Sequence, residues 1–178
     1  MARLAAVLFA ALAASVASAG EGAFSTGPAI DGFGPAASVE TDFAIPEGMP
    51  LRLSFDVSTR SKPGKTNSTL VAAARFINMH ARAGVADDRM QLAVVVHGKA
   101  VFDVASAGAA GEGKTTAHAN EPLVTALIEQ GVRIIVCGQS AAYYDVTNEA
   151  LLPGVEMALS AMTAHAVLQQ QGYALNPF

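Results

Sequence analysis

Cys137 is the only cysteine in the chain, and His80, His97, His118 and His165 are its four histidines. This short inventory narrows the chemistry. One thiol excludes an intrachain disulfide and a zinc site of four cysteines. The histidines show neither His-x-His nor H-E-x-x-H spacing, so no metal site is expected. Three readings of the thiol remain: a buried inert residue, a reactive thiolate, or an intermolecular disulfide. Cys137 closes the apolar run Val132-Arg133-Ile134-Ile135-Val136 and precedes Gly138-Gln139-Ser140, the pattern of a strand turning into a helix. Unpaired backbone N–H groups and the dipole at such a helix start favour the thiolate. His97 follows a second apolar run, Leu92-Ala93-Val94-Val95-Val96. In open parallel sheets ligands bind beyond the carboxyl ends of the strands. Neighbouring strands lie about 4.8 Å apart, which brings an imidazole at one strand end within reach of a thiol at the next. Cys137 is therefore the candidate nucleophile or sulfur-carrying thiol, and His97 the candidate group that polarises or deprotonates it. The plainer alternative is a buried cysteine packing as a small hydrophobe, beside a histidine that caps a turn.

Further candidates for holding a ligand at the cysteine are Gly138, Gln139, Ser140, Asn120 and Tyr143. Each has a structural alternative. Gln139 faces solvent, Ser140 is a helix-start hydroxyl, Asn120 is a helix cap, and Tyr143 packs. Ser140 lacks the G-x-S-x-G setting of a hydrolase elbow. The string Gly108-Ala109-Ala110-Gly111-Glu112-Gly113-Lys114-Thr115 matches the phosphate-binding loop of nucleotide hydrolases. Two features oppose that reading. The following helix should open at Lys114-Thr115, yet Asn120-Glu121-Pro122 suggests a later start, and the next apolar run ends in Cys137 rather than a magnesium-binding aspartate.

The elements that position these residues alternate between strand and helix. Leu51 to Ser58 alternates apolar and polar, with Leu51, Leu53, Phe55 and Val57 on one face of a first strand. Asn67 or Ser68 caps a helix whose apolar positions are Leu70, Ala73, Ala74, Ile77 and Ala81, and Gly84 stops it. Leu92–Val96 is a continuous apolar run, as in a strand covered on both faces. Residues 105–119 read as a Gly/Ala-rich loop. A second helix follows, with Asn120 as its cap, Pro122 in its first turn and Gly131 at its end. Residues 132–137 form the third strand and Gly138 to Tyr144 a short helix. Val155–Leu159 is a fourth strand, Ser160 caps a helix to Gln171, and Tyr173–Leu175 adds a fifth strand. The result is an α/β domain with a mainly parallel sheet.

The chain begins like an exported protein. Met1-Ala2-Arg3 precedes the uncharged apolar stretch Leu4–Val16, and Ala17-Ser18-Ala19 supplies a small-x-small cleavage site. Residues 1–19 are thus expected to be a signal peptide, leaving 20–178 as a soluble periplasmic protein with no membrane span. Residues 20–50 form an irregular arm expected to be pinned by Phe24, Phe33 and Phe43, and 51–178 form the domain. With 52% hydrophobic and 15% charged residues, the chain of 178 residues suits one domain with a real core. A net charge of −4 argues against nucleic acid as a partner.

Three segments resemble the DsrE/DsrF-like family: Val94-Val95-Val96-His97-Gly98, Gly131 through Cys137-Gly138-Gln139-Ser140, and Leu151-Leu152-Pro153-Gly154 through Thr163. A signal peptide and the Gly-Phe-Gly-Pro arm at Gly32–Pro35 are similar to its exported branch. The resemblance spans residues 28–178 and is poorest over 99–119. It implies a three-layer α/β/α domain with a five-stranded sheet, assembled as a homo-oligomer, a trimer or hexamer. It also implies a cysteine that carries sulfur as a persulfide within a relay, with no cofactor, between a donor and an acceptor protein. On this reading Cys137 accepts and passes on sulfane sulfur, and Gln139 with the backbone after Cys137 holds it. The alternatives are a non-catalytic oligomeric module binding a small ligand or protein, and nucleotide binding through Gly108–Thr115.

Overall fold

The computed structural model describes residues 20–108 and 117–176. Five strands form one sheet in the order β4-β3-β2-β1-β5, with β1 Leu51–Val57, β2 Met90–Val96, β3 Arg133–Cys137, β4 Glu156–Ala158 and β5 Ala174–Leu175. All four pairings are parallel. The helices are α1 Ser68–Arg82, α2 Ala117–Glu129, α3 Gly138–Tyr143 and α4 Ala161–Gln170.

Connectivity assigns the helices to faces. The chain steps from β1 to β4 in one direction across the sheet, then returns past β1 to β5. Right-handed crossovers therefore place α1, α2 and α3 on one face and α4 on the other. The two cores agree. Val94, Val96, Ile134 and Val136 pack with Leu70, Ala74, Leu123 and Leu127, whereas Ala93, Val95 and Ile135 pack with Ala164 and Leu168. This is the expected three-layer α/β/α fold. β2 and the inner part of β3 are apolar on both faces because helices cover both.

The expected start of the helix between β2 and β3 is corrected, and one element is added. Residues 98–103, to which the sequence assigns no element, form a 3-10 helix, Gly98–Asp103. α2 begins at Ala117, and Pro122 lies inside it rather than in its first turn. Asn120 is consequently not a cap. It is fully buried, and its Oδ1 accepts the N–H of Asn67, 53 residues away, at 2.7 Å. Buried Asp103 accepts from the N–H and hydroxyl of Ser61, each at 2.8 Å, and from Asn67 Nδ2 at 2.7 Å. Asn67 in turn caps α1, its Oδ1 accepting from the Thr69 N–H at 3.0 Å. This polar knot ties the β1–α1 loop, the 3-10 helix and α2 together. Long-range partners for a buried amide outweigh a local capping preference.

The arm is held differently from expected. Phe24 and Phe43 are exposed, and only Phe33 packs against the core. The anchors are Ile30 and Ala36, both buried, and two polar residues of α1. Asn78 Oδ1 accepts the Ile30 N–H at 2.8 Å, and Nδ2 donates to the carbonyls of Ile30, Phe33 and Gly34 at 3.0, 2.9 and 3.1 Å. Arg82 donates to the carbonyls of Gly27, Ser25, Thr26 and Ala36. Gly34 has φ +59, and a Cβ there would lie 2.3 Å from the Arg75 nitrogen, so only glycine lets the arm approach α1 this closely.

Among the described residues, no helix is long and apolar enough to cross a membrane.

Candidate active site

Side chains alternate along a strand, and that alternation gathers the site on the α4 face. Asp56 pairs in register with Val95, a residue of the α4-side core. His97 stands two positions beyond Val95, its N–H continuing the ladder to the Val57 carbonyl at 2.9 Å. Cys137 stands two beyond Ile135 and pairs with Ala158 of β4. The three residues thus end neighbouring strands on one face. The start of α4 closes over them, because Ser160 caps that helix by accepting the Thr163 N–H at 3.0 Å. The open cleft there has a volume of 340 Å³, and Asp56, His97, Cys137, Gln139, Met162 and His165 contribute to its lining.

Cys137 is 6% exposed. Burial pushes its thiol up, but the Ser140 hydroxyl and the backbone N–H groups of Ser140, Ala161 and Gln139 favour the thiolate and bring the balance below the ordinary thiol value. Ser140 is oriented for this, since its Oγ accepts the Gly98 N–H at 2.9 Å, leaving the hydroxyl hydrogen to point elsewhere. The stabilising donors thus come from two junctions, β3–α3 and β4–α4. Gly138 lets those junctions meet: a Cβ on it would lie 2.6 Å from the Ala158 carbonyl oxygen. Gln139 Nε2 donates to the Leu159 carbonyl at 3.2 Å and ties the same junctions together.

Asp56 is gripped by two imidazoles. Its Oδ2 accepts from His97 Nε2 at 3.0 Å and its Oδ1 from His165 Nε2 at 2.7 Å. Burial pushes the carboxyl up. The hydrogen bonds from His165 and His97, and then their charge, outweigh that and hold it below the usual carboxylate value of 3.8. Because the folded value is depressed, the associated stability is present above the unfolded value and is lost as pH falls through the folded one. The Asp56 carboxyl, followed by NMR from pH 6 downward, should therefore titrate below an aspartate in the unfolded chain. A midpoint at or above that reference would contradict the two-imidazole grip.

The residues expected to act together are partly assembled. Cys137, His97 and Gln139 line one cleft, and Ser140 acts on the sulfur from beside it. Gly138 serves the packing. Tyr143 is 80% exposed and stands edge-on to Tyr144 at a ring separation of 4.8 Å; it does not line the cleft. Asn120 belongs to the polar knot described above. Among the described residues no hydrogen bond joins His97 to Cys137; the His97 ring is bonded to Asp56. Residues 109–115 of the phosphate-loop-like string lie outside the described residues. Among the described residues, no group of three or more His, Cys, Asp or Glu side chains is arranged to hold a metal ion.

Asp56 and His165 are the two site residues that the sequence analysis does not single out. A signal existed for Asp56: it lies at the carboxyl end of the first strand, on the face opposite Leu53, Phe55 and Val57. For His165 the signal was its spacing from Ala161 and Leu168, which puts it on the sheet-facing side of α4.

A family model described as the DsrE/DsrF-like family matches residues 54–177. No curated protein matches the chain in sequence. Among solved structures, a protein of unknown function from Methanobacterium thermoautotrophicum is similar, with a TM-score of 0.50 and 18% identity over 71% of this chain and 97% of that one. At this identity the likeness concerns the fold.

Proposed function

This chain belongs to the DsrE/DsrF-like family, and from that premise we propose that it is an exported sulfur-handling protein in which Cys137 carries sulfane sulfur. Membership suggests a role in sulfur relay. The observation that carries the reading to one residue is the setting of Cys137, a buried sulfur in a 340 Å³ cleft with hydroxyl and amide donors favouring its thiolate. The thiolate is the nucleophile in sulfur transfer. Sγ attacks the outer sulfur of a persulfide or polysulfide donor, RS–SH. The Sγ–S bond forms, the donor S–S bond breaks, and RS⁻ leaves and is protonated. A second thiolate, on an acceptor protein, then takes the outer sulfur and regenerates Cys137. The same donors hold the persulfide sulfur between the two steps. In this proposal residues 1–19 direct export to the periplasm, and the mature chain works as a homo-oligomer, a trimer or hexamer.

The test is loading of the mature protein with inorganic polysulfide, followed by alkylation and intact mass analysis. The wild type should gain one sulfur atom on Cys137, and Cys137→Ala should gain none while keeping its fold. A wild type that gains no sulfur, or a Cys137→Ala protein that still loads, would overturn the proposal. A second reading, a non-catalytic binding module, draws on the exposed Met162 and Leu159 at the cleft and the junction beside it. It predicts a Cys137 inert to both polysulfide and alkylating reagents.

A further inference from the structure

We infer that Asp56 and His165 are positioning residues that lock the tautomer of His97, leaving Nδ1 as its proton-exchanging atom in the Cys137 cleft. The inference deepens the sulfur-transfer reading and rests on it for the step that His97 serves. The lock itself follows from hydrogen-bond inventory. An ionised carboxylate only accepts, and both contacts to Asp56 are made by Nε2. Both rings must therefore carry hydrogen on Nε2, and in the neutral rings Nδ1 is the bare, basic nitrogen. The two rings differ in what Nδ1 can then do. In His165 it is buried and has no hydrogen-bond partner among the described residues, so a proton placed there would be an unsatisfied buried donor. In His97 the side chain is 32% exposed and lines the cleft, where Nδ1 can exchange a proton with a reactant or water.

The arrangement gives each residue a part. Asp56 fixes which nitrogen of His97 is basic and stabilises the imidazolium that forms when Nδ1 takes a proton. His165 occupies the second carboxylate oxygen and keeps Asp56 from rotating away. In sulfur uptake the balance is Cys137 Sγ–H plus RS–SH giving Sγ–SH plus RSH. The proton lost by Sγ passes to Nδ1 of His97, directly or through water, and Nδ1 then delivers it to the departing RS⁻.

Asp56→Asn tests the lock, because an amide offers one accepting oxygen and one donating nitrogen. The two Nε2–H groups cannot both be satisfied, so one ring must move its proton to Nδ1. For His165 that would bury an unpartnered N–H, so His97 is the ring that switches. Nitrogen-15 NMR of the imidazoles should show Nε2–H on both rings of the wild type and Nδ1–H on His97 in the variant. The rate of polysulfide loading should fall by about 10²–10⁴-fold, the usual range for losing a general acid or base. The double variant Asp56→Asn, His165→Ala leaves the amide oxygen to His97 alone. It should restore the Nε2–H tautomer and raise the loading rate above that of Asp56→Asn, though not to the wild-type level because the amide carries no charge to stabilise the imidazolium, a partial rescue that general structural damage would not show. A His97 ring that keeps Nε2–H in Asp56→Asn, or a double variant with no recovery of that tautomer, would overturn the inference. If the wild type loads no sulfur, the sulfur-transfer reading fails by itself, and the NMR signatures still decide the lock.

Discussion

Ser140→Ala should slow alkylation of Cys137 by about 4- to 20-fold at any pH below both titration midpoints. The reason is a charge-assisted hydrogen bond, worth about 1.5–3 kcal/mol, that favours the thiolate. Below its midpoint the reactive fraction of a thiol is proportional to its acidity, and the greater nucleophilicity of the less stabilised thiolate offsets about half of that loss on a logarithmic scale. The Ser140 hydroxyl is the foremost group pulling the Cys137 value down, and it accepts the Gly98 N–H at 2.9 Å. A hydroxyl polarised in this way is a stronger donor. Ser140→Thr keeps the hydroxyl and should keep most of the reactivity. Stability supplies a second readout. A thiol depressed in the folded state contributes stability that is present above its unfolded value of 9.0 and is lost as pH falls through the folded one. The alanine variant should therefore lose additional stability in alkaline solution. In acid only the cost of the unpartnered Gly98 N–H should remain. Alkylation with the wild-type pH profile in Ser140→Ala would show that the backbone donors alone set the thiolate.

Asn78→Ala should release the arm and lower the unfolding free energy by about 3–5 kcal/mol. Asn78 is fully buried, and its amide makes all four of the arm contacts given above. Removing it strands the Ile30 N–H and three carbonyls, each costing about 1–3 kcal/mol if left buried. The sum is limited because the arm can instead lift off and hydrate those groups. Lifting exposes Ile30, 2% exposed in the folded chain, while Arg82, Arg75 and Arg89 still hold carbonyls elsewhere along the arm. Hydrogen exchange at the Ile30 amide should accelerate more than exchange at Val94 in the centre of the sheet. Limited proteolysis should cut between residues 25 and 36. Equal acceleration at Ile30 and Val94 would mean that the arm and the sheet unfold as one unit.

Most of the domain could be read from local pattern. The apolar runs before His97 and Cys137, the caps at Asn67 and Ser160, and the glycines at 84, 131 and 172 mark the element ends. The family resemblance carried the same architecture. The errors fell where a polar residue finds its partner far away in sequence. Asn120 looks like a cap because its neighbours are Glu121 and Pro122, but its oxygen serves the Asn67 N–H. The arm looks pinned by its phenylalanines, but a polar residue on α1 holds it. The 3-10 helix at 98–103 ends in Asp103, which accepts from Ser61 and Asn67 far along the chain.

The candidate site divides along the same line. The sequence by itself determined that the chain has a lone thiol, Cys137, at a strand end opening into a helix. It also determined that His97 ends a strand of the same sheet. Both conclusions depend on local order along the chain, where backbone periodicity and helix-start N–H groups act. Only the tertiary structure decided what His97 touches and what favours the thiolate. Parallel register puts Asp56 beside His97, and the return crossover to β5 lays α4 over that face, bringing His165 to Asp56 across 109 residues. The same crossover brings the Ala161 N–H to Cys137. A hydrogen bond needs its partners within about 3 Å, and chain order sets no such distance between residues so far apart until the sheet has assembled.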